Sequence, residues 1–119
     1  MNVSFEEIGR LAVTFAHEGC QSGQVCKVIG NAMVGACNEG DDFCGLVESV
    51  RGGCAAVQVA GFATVSVTGP VDVGFVSLCA DGDGGVMAGQ GREYLVVAAD
   101  KESDTAVIML YGGTKNGIR

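Results

Sequence analysis

Residues 43–67, FCGLVESVRGGCAAVQVAGFATVSV, constrain the fold more than any other stretch. Residues 43–50 are apolar, with polar Glu48 and Ser49 near the end. Arg51-Gly52-Gly53 follows, and then a second run of small, β-branched and aromatic residues. Two strand-like runs joined by Gly-Gly predict a β-hairpin. Glycine suits that turn because a tight turn uses positive φ, which strains a residue carrying a side chain. The second run exceeds a typical strand of about 5–6 residues, and Gly61 interrupts it. A glycine inside a strand marks a bulge or a bend. The pattern therefore predicts a chain that bends at Gly61 and leaves for a second sheet, as in small barrels and orthogonal sandwiches.

Other parts of the chain repeat this texture. Of 119 residues, 20 are Gly, 1 is Pro and none is Trp. Many glycines between Val/Ala runs mean short strands and tight turns. Further strands are expected over 11–16, 24–29, 33–37, 74–80, 86–88, 94–99 and 105–111. The one helical candidate is 5–11, with Ser4 as N-cap and Glu7 three residues on. The expected fold class is all-β: a small single-domain barrel or sandwich. Residues 1–10 read as an arm, 11–112 as the domain and 113–119 as a flexible tail.

A shift of 51 residues brings Gly23 onto Gly74, Val25 onto Val76, Gly40 onto Gly91, Phe43 onto Tyr94 and Ala55 onto Ala106. The punctuation matches better than the identities do. Residues 11–61 and 62–112 are read as two copies of one β-meander, neither able to bury its apolar face without the other.

Several function classes fall away. Net charge is −7 with only 7 Lys+Arg, so the basic stripe that nucleic acid needs is missing. No apolar run approaches the roughly 20 residues of a membrane helix. The first ten residues lack the basic and apolar regions of a signal peptide, so the expectation is a cytoplasmic origin. The six cysteines, Cys20, Cys26, Cys37, Cys44, Cys54 and Cys79, form no C-x-x-C pair. They read as small apolar filler in a reducing compartment, with no metal and no cofactor. His17, the one histidine, reads as an exposed turn residue. The run Asp81-Gly82-Asp83-Gly84-Gly85 departs from an EF-hand loop at three later positions and reads as a hairpin turn. The pairs Glu6/Glu7 and Asp41/Asp42 read as solvated. No catalytic residue is assigned, and no enzymatic activity is expected.

The feature that points outward is a gap in charge. From Cys54 to Val71 no residue is charged. In a small domain such a run is core or subunit interface. Gln58, Thr64, Ser66 and Thr68 within it are the candidate interface residues, and a homo-oligomer is expected. Two alternatives stand beside this reading. One is a small barrel binding a ligand or peptide in a cavity lined by Phe15, Phe43, Phe62, Phe75 and Tyr94. The other is a thiol-dependent enzyme using Cys20 or Cys44.

The stretches 23–28 (GQVCKV) and 40–65, with an echo at 74–78 and 94–98, resemble head decoration or head-fibre proteins of tailed phages and prophages. The resemblance is one of texture over about 90 residues. It implies a β-rich domain on the outside of a capsid, often a trimer, that contacts the major capsid protein and clamps neighbouring capsomers. The implied location is the virion, after synthesis in the bacterial cytoplasm. The resemblance brings no catalytic residue.

Overall fold

The computed structural model describes residues 10–110. The arm, the tail and the helical candidate lie outside them, except Arg10 and Leu11, and Leu11 opens a strand. Ten strands follow in order: β1 (Leu11–Glu18), β2 (Val25–Gly30), β3 (Met33–Ala36), β4 (Gly45–Arg51), β5 (Cys54–Ala60), β6 (Phe62–Ser66), β7 (Gly74–Ala80), β8 (Val86–Ala88), β9 (Arg92–Asp100) and β10 (Thr105–Met109). No helix occurs among the described residues. The protein is all-β.

β1 to β5 form a closed barrel in the order β1-β3-β2-β4-β5. Closure comes from β5, antiparallel to β1, and from β3, parallel to β1. β6 to β10 form a second sheet in the order β6-β10-β9-β7-β8. The antiparallel pairings β1·β5, β5·β4, β4·β2 and β2·β3 recur as β6·β10, β10·β9, β9·β7 and β7·β8. The parallel closure of the barrel has a weaker counterpart in a single bridge between Val67 and Val86. The fourth strand of each set is bulged at the matching place. Glu48 is the extra residue opposite Val57/Ala56, and Val97 opposite Ile108/Val107. A bulge re-aims its side chain, and Glu48 meets Arg10 in an ion pair.

Neither set is a simple meander. Within each, only the second and third strands, and the fourth and fifth, are neighbours in both sequence and space. The first strand pairs with the fifth, so each unit is held together by its most distant segments.

The central hairpin is β4–β5, with Arg51 opposite Cys54 and Gly52 at φ 59. Gly61 has φ 87, and at it the chain passes from β5 in the barrel to β6 in the second sheet. Gly45 permits close approach of the hairpin strands, since a Cβ there would lie 2.3 Å from the Gln58 carbonyl oxygen.

Two cores result. One lies within the barrel and contains Cys20, Cys26, Val34, Val47, Ala55 and Val57. The other covers the inner face of the second sheet, with Val65, Leu78, Val86, Val96 and Ile108, and takes in Val25, Cys37 and Phe43 from the first half. Each fully buried Val, Leu or Ile adds about 1.5–3 kcal/mol, so this shared core firmly joins the halves. At their contact Phe43 and Tyr94 stack, with ring centroids 4.8 Å apart and an interplanar angle of 9°. These are two positions that the 51-residue shift superimposes.

Candidate functional site

The charge-free run divides by face. Alternation along β5 and β6 turns Ala55, Val57, Ala63 and Val65 inward, where all are buried. Thr64, Ser66 and Thr68 are exposed. Thr68 donates its hydroxyl to the Asp81 carboxylate at 2.7 Å. Gln58 is corrected as an interface residue. It is 5% exposed, and its Nε2 donates to the Ala60 carbonyl at 3.1 Å and the Phe62 carbonyl at 2.8 Å. Those bonds span the Gly61 bend, so Gln58 clamps the corner between the sheets. An uncharged polar residue in a strand reads alike from sequence whether it clamps or docks.

Sequence reading missed the residues that complete the outer face of the second sheet. Cross-strand register places Phe62 beside Met109, Met109 beside Leu95 and Leu95 beside Phe75. This makes one apolar row across β6, β10, β9 and β7. Phe75 is 55% exposed and Val73, just before its strand, 62%. The next row holds Thr64, Val107 and Ala98. β6, β7, β8 and β10 contain no charged residue, and β9 carries its charges at its ends, Arg92, Glu93 and Asp100. The available signal was the i, i+2 alternation of large apolar residues, but only pairing register aligns them.

A second place gathers reactive groups. Cys44, half-buried, lines a cleft of about 350 Å³ with Lys27, Asp41, Asp42 and Arg92. Behind it lies Cys26, fully buried, with its Sγ 4.0 Å from that of Cys44. β2 and β4 bring them together: Cys26 is the register partner of Gly45, and the Cys44 N–H donates to the Cys26 carbonyl at 2.8 Å. The Cys26 hydrogen bond holds the Cys44 thiol below its usual range, against the opposing effect of burial. The same bond pushes Cys26 up, and burial adds to that. Burial also pushes the nearby Cys37 thiol up to about 12. At the rim, Lys27 Nζ lies 2.6 Å from Asp41 Oδ2. Next to it the buried Tyr94 hydroxyl donates to the Phe43 carbonyl at 3.3 Å, and burial raises its pKa to about 12.

All six thiols are free. Cys20, Cys26, Cys37 and Cys79 are buried, Cys44 is intermediate and Cys54 is exposed. Among the described residues no group of three or more His, Cys, Asp or Glu side chains is arranged to hold a metal ion.

His17 sits near the end of β1 and not in a turn. Its Nδ1 accepts from the Cys20 backbone N–H at 3.3 Å, so Nε2 carries the proton and donates to the Gly52 carbonyl at 3.1 Å. The ring thus ties β1 to the hairpin turn, and its contact with Cys20 is to the main chain and not the thiol. The Asp81 loop joins β7 to β8 as a hairpin turn. Asp81 Oδ1 accepts from the N–H groups of Asp83 at 2.7 Å and Gly85 at 3.0 Å. The five aromatic residues do not line one cavity. Phe43 and Tyr94 fill the shared core, Phe15 packs against the barrel core, and Phe75 faces outward.

No family model matches the chain, and no curated protein matches it.

Proposed function

We propose that this chain is a non-catalytic structural protein that assembles with copies of itself through the outer face of its second sheet. The carrying observation is the uncharged apolar row Phe62/Met109/Leu95/Phe75 with Val73 and Thr64 beside it. A chain of net charge −7 repels its own copies, and exposed charges act over about 8 Å at physiological salt. Contact between copies is least opposed where charge is missing, and an apolar band there supplies the attraction. The proposed setting is the outer surface of a tailed-phage head, with a trimer contacting the major capsid protein. Its support is the resemblance of residues 23–28 and 40–65 to decoration proteins. The same reading takes residues 11–61 and 62–112 as copies of one ancestral unit. The repeated strand pairing and the paired bulges at Glu48 and Val97 support it.

Light scattering behind a sizing column, under reducing conditions, tests the assembly. The expected result is a closed oligomer, a trimer in the proposed setting. Phe75→Glu places a charge in the row at a side chain the fold does not bury, and is expected to give folded monomers. A wild-type monomer at tens of micromolar would end the proposal. Co-sedimentation with heads built from major capsid protein then tests the capsid partner.

A further inference from the structure

We propose that Cys44 and Cys26 form a thiol–disulfide exchange pair, with Cys44 the attacking thiol at the cleft and Cys26 the resolving thiol behind it. The reaction partner is a small-molecule disulfide.

The geometry divides the roles. Cys44 borders the open cleft, whereas Cys26 is 0% exposed and does not line it. Their sulfurs are 4.0 Å apart. A disulfide needs about 2.05 Å, and rotation of the Cys26 side chain on β2 and of Cys44 just before β4 is the kind of movement that closes such a gap. Among the described residues Cys26 and Cys44 are the one pair of thiols within hydrogen-bonding distance of each other, so the other buried thiols, Cys20, Cys37 and Cys79, lack this arrangement.

In the first step the Cys44 thiolate attacks one sulfur of the small disulfide. A Cys44–S–S–R bond forms, the small disulfide's S–S bond breaks, and one RS⁻ leaves and takes up the proton that Cys44 lost. In the second step Cys26 gives up its proton and attacks the Cys44 sulfur. The Cys26–Cys44 bond forms, and the second RS⁻ leaves with that proton. Two protein thiols are oxidised, and one small disulfide is reduced to two thiols. The first step also prepares the second. What holds the Cys26 proton is chiefly the bond to Cys44, and capping Cys44 removes that thiolate.

The product staples the seam between β2 and β4. β2 and β4 share only the pairs Val25/Leu46 and Cys26/Gly45, whereas β4 and β5 share five. A bond across this seam constrains the barrel where its ladder is shortest.

The test uses the full chain carrying Cys54→Ser, which removes the exposed thiol. The reduced protein is exposed to oxidised glutathione while native, then alkylated and mapped by mass. The expected product has lost two hydrogens and contains a Cys26–Cys44 cross-linked peptide. It melts at a higher temperature than the reduced form. Cys26→Ser should stop with glutathione retained on Cys44, and Cys44→Ser should yield neither adduct nor cross-link. Glutathione stably retained on Cys44 in the presence of Cys26, or a cross-link through other cysteines, overturns the pair. An oxidised form that melts no later than the reduced one overturns the staple.

Discussion

Lys27 and Asp41 form the ion pair at the rim of the thiol cleft, and it shifts the titration of both. The Lys27 ammonium first, then the Asn38 N–H, holds the Asp41 carboxyl below its usual range. Asp41 in turn raises Lys27. A lowered acid stabilises above its unfolded pKa, near 3.9, and that contribution is lost as pH falls through the folded value. A raised base stabilises below its unfolded pKa, near 10.4, and loses that as pH rises through the folded value. Urea midpoints of wild type and Lys27→Met should therefore differ most between about pH 5 and 10. The difference should shrink at both ends. A difference that does not vary with pH would mean that Lys27 acts through packing. Residue types were legible from sequence here, but their partners were not. Cys26 and Cys44 are 18 residues apart and meet only through β2·β4 pairing. His17 looked like a turn residue because Gly19 follows closely, yet β1 runs through it to Glu18.

At the level of strands, the corner at Gly61 joins the two sheets and Gln58 holds it. Gln58→Leu keeps the bulk but loses both hydrogen bonds to the Ala60 and Phe62 carbonyls. The expected loss is about 1–3 kcal/mol of stability in chemical denaturation. An unchanged midpoint would show that the corner holds without the clamp. The corner and hairpin were legible because glycine advertises positive φ, as Gly52 and Gly61 do. The bulges at Glu48 and Val97 were not, since neither residue type marks one. The order within each unit was also hidden. Local turns fix which strands form hairpins, whereas the pairing of first with fifth is decided by burial over a longer span.

Across the whole molecule, the charge-free run proved to be core on one face and open surface on the other. Composition could locate that surface but not the row that crosses it. The two cores also differ in what they require. Among the described residues the barrel core draws only on residues 15–59, whereas the core of the second sheet borrows Val25, Cys37 and Phe43 from the first half. This gives the fold a direction in time. Chains are made from the N-terminus at about 5–20 residues per second, so the last 50 or so residues take roughly 3–10 s to appear. The barrel can close during that delay, and the second sheet then assembles on a finished template. A nascent chain halted with residues 10–60 outside the ribosome should already shield Cys26 from alkylation. Open reactivity there would place closure after the second half arrives.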